Sequence, residues 1–276
     1  MSALLEGLER LAKEPPFRIA TRALLKLLPV SAEVRQRWEL SRRPAYLLGV
    51  CAAAQQALRQ HVDEIAVVEF GVAGGDGLLT LERESAAVSR ETGVRIRVYG
   101  FDMGAAGLPS FIGDHRDASE YWRPGDFPMN EAALRSRLSE HTNLVLGNVQ
   151  RTVPAFASEW QPPPIGFVAF DLDLYSSTRD ALALFHQPGV RLLAHVPLYF
   201  DDVDHFFSHR FAGERLAIDE FNTTGNRVRI DHWHGLRDGR PFPERPFLDK
   251  MYMAHDLTVA AQIKVERDVR VLPMRA

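Results

Sequence analysis

The strongest constraint on the fold is a repeated pattern. Short apolar runs, separated by helix-like stretches, each stop at a glycine-rich or polar group. Residues 64–70 lead into the glycine-rich segment 71–77, and residues 94–101 lead to Asp102. Residues 143–146 stop at Gly147 and Asn148, 165–170 at Asp171, Leu172 and Asp173, and 196–200 at Asp201 and Asp202. Short, continuously apolar runs suit strands buried on both faces, and strands alternating with helices imply a parallel sheet between two helical layers. Ligands of such sheets bind beyond the C-terminal ends of the strands. All five polar groups sit there, which makes that edge the expected site. Two late strands are expected at 227–232 and 250–254. The intervening helices are expected up to about Arg90, from Glu131 to Glu140, from about Ser177, and from Ala212 to Phe221.

Before residue 64 no strand-like alternation occurs. Leu4, Leu5, Leu8 and Leu11 recur at helical spacing up to Pro15 and Pro16, a second helix is expected over 21–28, and a third after Pro44. The 276 residues thus divide into a helical cap, 1–60, and a main domain, 61–276. The cap is expected to serve as a lid or as a contact between subunits of a homo-oligomer. Residues 103–129 carry Gly, Pro, Phe111, Tyr121, Trp122 and Phe127 without periodicity, as expected of a lid or substrate wall. Lys plus Arg number 33 against 36 Asp plus Glu, a net charge of −3, with no basic stripe for nucleic acid or an anionic membrane. No apolar run approaches the roughly 18–20 residues of a membrane span. Cys51 is the single cysteine, which excludes an intramolecular disulfide and suits a reducing cytoplasm.

The chemistry-bearing residues lie at the strand ends. Gly71, Gly74, Gly75 and Gly77 allow a sharp turn and close approach to a ligand. The pattern is not the dinucleotide fingerprint, because Ala73 stands where its second glycine would be. Glu69 suits a cationic or hydroxyl-bearing ligand better than a pyrophosphate. Asp102 can accept from both hydroxyls of a ribose, a feature shared by dinucleotide and S-adenosyl ligands. Gly147 and Asn148 suit either the edge of an adenine or a surface turn. Asp171, Asp201 and Asp202 offer up to three oxygen ligands to a hard cation such as Mg²⁺, which could lower the pKa of a bound hydroxyl. Asp173, two residues beyond Asp171 on an extended chain, would face the same way and could be the general base, with His205 in reserve. The pairs His205/His209 and His232/His234 lack the company a zinc site needs. Ser177, opening a capping-box-like stretch to Asp180, lacks a nucleophile elbow.

The segments 68–75, 100–102, 171–178 and 200–202 together resemble the class I S-adenosylmethionine-dependent methyltransferases, and within them the macrocin O-methyltransferase-like group that methylates sugar hydroxyls of macrolide and aminocoumarin antibiotics. The resemblance spans about residues 40–256. It implies a three-layer Rossmann-like sandwich whose seven-stranded sheet has its last strand antiparallel. It also implies S-adenosylmethionine and Mg²⁺ as cofactors and a small-molecule hydroxyl acceptor. Glu69, Gly71, Val72, Ala73, Gly75, Asp102, Asn148 and Asp171 would border the cofactor. Asp171, Asp201 and Asp202 would hold the metal, and Asp173 would deprotonate the acceptor. Some members use a histidine three residues after the first metal ligand; here that residue is Leu174. The chain also lacks the usual paired glycines before the fifth strand, and 233–246 is individual. Three other readings are open: a metal-independent methyltransferase, an NAD-linked oxidoreductase, against which Ala73 argues, and a non-catalytic binding module.

Overall fold

The computed structural model describes residues 11, 13–225 and 227–263. Leu4, Leu5 and Leu8 of the expected first helix lie outside the described residues. Seven strands form one sheet: β1 (Glu64–Phe70), β2 (Arg95–Asp102), β3 (Thr142–Leu146), β4 (Ile165–Phe170), β5 (His195–Phe200), β6 (Val228–His232) and β7 (Met251–Asp256). Their order is β3-β2-β1-β4-β5-β7-β6. Strand β7 enters antiparallel between β5 and β6, and the other six run one way. Every residue of β4, and all of β1 after Glu64, is buried, which is why β4 reads as an unbroken apolar run and β1 as one broken only by Glu69.

The helices are α1 (Phe17–Leu25), α2 (Ala32–Arg37), α3 (Pro44–Arg59), α4 (Asp76–Thr92), α5 (Glu131–Arg135), α6 (Val149–Trp160), α7 (Tyr175–Leu182), α8 (Gly213–Thr223) and α9 (Leu257–Gln262). Pro44 opens α3 at the position where a missing N–H is harmless. Tyr46, Leu47, Val50, Ala53, Ala54 and Ala57 of α3 are fully buried in the core shared with the sheet. Burial of one such Leu or Val is worth about 1.5–3 kcal/mol. This helix, inside the stretch read as a cap, is therefore built into one of the sheet's own helical layers.

Three helices differ from the sequence reading; the one expected over 21–28 spans Phe17–Leu25. The helix expected from Glu131 to Glu140 stops at Arg135, where Ser136 Oγ donates to the Ala133 carbonyl and competes with the backbone. The helix expected from Ser177 starts at Tyr175, and its N-cap, Leu174, makes no side-chain cap bond. Asp117, far away in the chain, caps it instead. Its carboxylate accepts the Ser176 N–H at 2.8 Å and the Ser176 hydroxyl at 2.9 Å. The insert is thereby pinned to the main domain.

Beneath the ligand edge lies an aromatic floor. Phe101, Phe70, Phe170 and Phe200 come from the neighbouring strands β2, β1, β4 and β5 and share one register row. Successive ring centroids are 4.6, 5.4 and 4.5 Å apart. Each ring is followed at once by Asp102, Gly71, Asp171 or Asp201. Row and register together bring four strand ends to one level, with a dry base under polar groups.

Candidate active site

A cavity of about 250 Å³ opens over the ends of β1 to β4. Its wall includes Glu69, Gly71, Val72, Ala73, Gly75, Asp102, Asn148, Asp171 and Asp173, so nine of the sequence-predicted residues meet at one place. The insert supplies Gly107, Leu108, Pro109, Asp126 and Phe127 to the opposite side, and Ser177 of α7 also reaches it. Asp201, Asp202 and His205 stand outside this wall.

Close approach explains the glycines. Gly71 has φ +85°, and a Cβ there would stand 1.7 Å from the Asp171 carbonyl oxygen. A Cβ on Gly77 would stand 1.9 Å from Glu69 Oε1, so the first turn of α4 can lie directly on the Glu69 carboxylate. Asp102 organises the loop between them. One oxygen accepts the N–H groups of Val72 and Ala73 at 2.9 and 2.8 Å, and the other accepts that of Gly104 at 2.7 Å. A carboxylate offers about four acceptor directions, so one stays open for a ligand. Asn148 caps α6 through its side-chain oxygen, 2.9 Å from the Gln150 N–H.

Glu69 is 1% exposed and its Oε1 accepts a 2.5 Å bond from the Tyr46 hydroxyl, while Oε2 is buried without a partner. Burial pushes its carboxyl up to about 8, against the opposing pull of the Tyr46 bond and Arg43. Arg43 Nη1 donates to Tyr46 Oη at 3.1 Å and lies 3.5 Å from Asp171 Oδ2. Burial disfavours the Arg43 charge, but Tyr46, Glu69, Asp171 and Asp201 more than offset it.

The acidic ends of β4 and β5 form one electrostatic unit. Burial, then Asp201 and Asp202, raise Asp171 to about 7. Burial, then Asp202, Asp171 and Asp201, raise Asp173 to about 8. Asp202 is 5% exposed and rises to about 6 through burial and Asp201, with Lys250 opposing. The expected extended geometry of Asp173 is corrected. Strand β4 ends at Phe170 and Asp173 has φ +59°, a left-handed conformation costing a non-glycine residue about 1 kcal/mol. A turn, rather than the pleat, brings Asp171 and Asp173 to the same cavity.

Asp202 Oδ2 and Glu214 Oε1 are buried without partners. Hard carboxylate oxygens with unmet acceptor capacity fit a divalent cation in their chemistry. Among the described residues, however, no three His, Cys, Asp or Glu side chains are gathered into a ready metal cage. His205 is half exposed, stacks on Phe207 and holds Nε2 3.7 Å from Asp202 Oδ1.

Several residues of this neighbourhood escaped the sequence reading. Arg43 and Tyr46 lie in a helical stretch more than twenty residues before Glu69, with no local signal. Tyr199 donates to Asp201, and Lys250 bonds the Asp201 carbonyl and lies 3.0 Å from Asp204. Glu214, fully buried, accepts the Asp202 N–H at 3.0 Å. It was findable: Glu214, Ala217, Ile218 and Phe221 share the buried face of α8, and an acid in an apolar stripe needs a reason.

No family model and no curated protein matches the sequence. Solved structures do. The calicheamicin methyltransferase CalS11 is similar over 88% of this chain and 93% of its own, with 23% identity and a TM-score of 0.50. The O-methyltransferase NovP is similar over 77% and 79%, with 16% identity and a TM-score of 0.52. At such identities the likeness is one of fold. With six parallel strands, one antiparallel strand and helices on both sides, the chain has the Rossmann-like fold of the class I methyltransferases.

Proposed function

We propose that the protein is an S-adenosylmethionine-dependent O-methyltransferase acting on a hydroxyl of a small natural-product acceptor, in particular a sugar. One observation carries this reading: a single cavity at the strand ends joins Glu69 and the glycine loop, Asp102 and Asn148 to the Asp171–Asp173 turn. The names of CalS11 and NovP, a calicheamicin methyltransferase and an O-methyltransferase, support it.

In this reading Glu69 and the loop hold the methionine moiety, the open direction of Asp102 takes a ribose hydroxyl, and Asn148 borders the adenine. Asp173, raised to about 8, suits a base working near neutral pH. It takes the acceptor proton, the acceptor oxygen gains the methyl group, and the sulfonium leaves as a neutral thioether. The insert shields the cavity from water through Leu108 and Phe127. A divalent cation held by Asp171, Asp201 and Asp202 would supply Lewis acidity that lowers the hydroxyl pKa. A metal-independent variant is the second reading, favoured by the lack of a ready three-ligand cage among the described residues.

Calorimetry with S-adenosylmethionine tests the cofactor, and absence of binding would sink the proposal. Asp201→Asn is expected to lose metal-dependent turnover while keeping cofactor affinity, and full turnover in EDTA would decide for the second reading. No described helix is long and apolar enough to cross a membrane. We also propose α1 as a subunit contact. It buries none of its residues and leaves Phe17, Ile19 and Leu24 at least half exposed. Light scattering of Ile19→Glu should then report a smaller species than wild type.

A further inference from the structure

The cavity wall is electrostatically one-sided. Among its lining residues Glu69, Asp76, Asp102, Asp126, Asp171 and Asp173 are acidic, and Arg43 alone carries a cationic side chain. Arg43 sits immediately before α3 and is held in several ways. Its Nη1 donates to Tyr46 Oη at 3.1 Å, its guanidinium lies 5.1 Å over the Tyr46 ring, and Asp171 and Asp76 oxygens stand at 3.5 and 4.0 Å. A guanidinium has five N–H donors; the Tyr46 and Asp171 contacts run through Nη1 and the Asp76 contact through Nε, and none of them uses Nη2.

Resting on the cofactor reading above, we infer that Arg43 binds the α-carboxylate of the methionine moiety of S-adenosylmethionine. The cofactor brings two positive groups, a sulfonium and an ammonium, and one negative group. The two cations have six carboxylates to meet. The carboxylate has one cationic side chain on this wall to meet. The guanidinium fork matches a carboxylate in two parallel hydrogen bonds, a geometry a lysine cannot reproduce. The stack on Tyr46 fixes the fork before the ligand arrives. Since Tyr46 also bonds Glu69, one tyrosine positions both the group for the carboxylate and the proposed group for the ammonium. The competing arrangement puts the carboxylate on backbone N–H groups at the start of α4, which needs no arginine.

The test uses calorimetry with two ligands that differ only in this group, S-adenosylmethionine and decarboxylated S-adenosylmethionine, on wild type, Arg43→Gln and Arg43→Lys. Wild type is expected to prefer the full cofactor by about 10- to 100-fold, the range of a charge-assisted hydrogen-bonded pair. Arg43→Gln should lose most of that preference, and Arg43→Lys should keep part of it. Comparing two ligands on one protein cancels any general loss of folded protein. A preference that persists in Arg43→Gln, or is missing in wild type, overturns the inference and leaves the cofactor reading intact. Wild type that binds neither ligand overturns both. Should Arg43→Gln not fold, the wild-type and Arg43→Lys preferences still decide.

Discussion

Glu69 is the residue on which most of the site chemistry converges. Its burial pushes the carboxyl up to about 8, so below that pH it is mostly neutral in the free protein. A cationic ligand binds the ionised form. Affinity for S-adenosylmethionine is therefore expected to rise as pH climbs from about 6.5 to 8. The ligand's own ammonium, with an ordinary pKa near 7.7–8.0, loses its proton over the upper part of that range, so the rise is blunted there and affinity falls above about 8. Glu69→Gln should weaken binding roughly 10- to 100-fold. It should also flatten the rise, leaving the ionisations of Asp171 near 7 and Asp173 near 8. Titration calorimetry across this range checks both, and an unchanged pH profile in Glu69→Gln would contradict the assignment. At the same scale, Gly71→Ala would force a Cβ against the Asp171 backbone at φ +85°. It is expected to destabilise by at least about 1–3 kcal/mol, read as a fall in the urea midpoint.

At the scale of elements, the insert and α7 depend on one another. Asp117 is fully buried and its carboxylate accepts from Ile112 as well as twice from Ser176. Asp117→Ala leaves buried donors without a partner and is expected to cost about 2 kcal/mol. Hydrogen exchange should speed up across 108–128 and the first turn of α7, while β1 and β4 stay protected. Uniform acceleration across the sheet would show that the insert is no separate element. Strand ends were legible because the buried β1 and β4 are written as nearly unbroken apolar runs with Gly71 and Asp171 directly after them, and Asp102 closes the buried half of β2. The cap of α7 was not legible. Ser177 to Asp180 resembles a local capping box, but Asp117, some sixty residues earlier in an aperiodic insert, does the capping. Arg43 and Tyr46 were hidden likewise: the packing of α3 on the sheet, not any sequence pattern, carries them to Glu69. Glu214 lay in plain sight as an acid on an apolar helical stripe, and its partner, the Asp202 N–H, needed the fold.

For the whole molecule, a cluster of uncompensated buried acids ties stability to pH. Glu69, Asp171 and Asp173 have folded-state values near 8, 7 and 8, above their ordinary values of 4.5, 3.8 and 3.8. A group raised on folding contributes stability that is present below its unfolded pKa and lost as pH rises through the folded one. These three acids therefore weaken the free protein progressively up to about pH 8. His186, His195 and His255 act oppositely. Burial lowers each below 6.5, so their contribution is present above 6.5 and lost as pH falls. Above about pH 7.5 the histidines are neutral in the folded and the unfolded state alike, and the acids alone set the slope. The melting temperature of the free protein should accordingly fall by roughly 10 °C from pH 6.5 to 8.5, since the three acids together lose about 4–5 kcal/mol there and each kcal/mol shifts a domain of this size by roughly 2–4 °C. Saturating Mg²⁺ with S-adenosylmethionine should flatten that decline, because cations bound among the carboxylates favour their charged forms. The double variant Asp171→Asn, Asp173→Asn should remove more than half of it without any ligand, leaving the share of Glu69. A melting temperature that instead rises steadily over this range in the free protein would mean that the acidic ends of β4 and β5 are not the electrostatic centre of the fold.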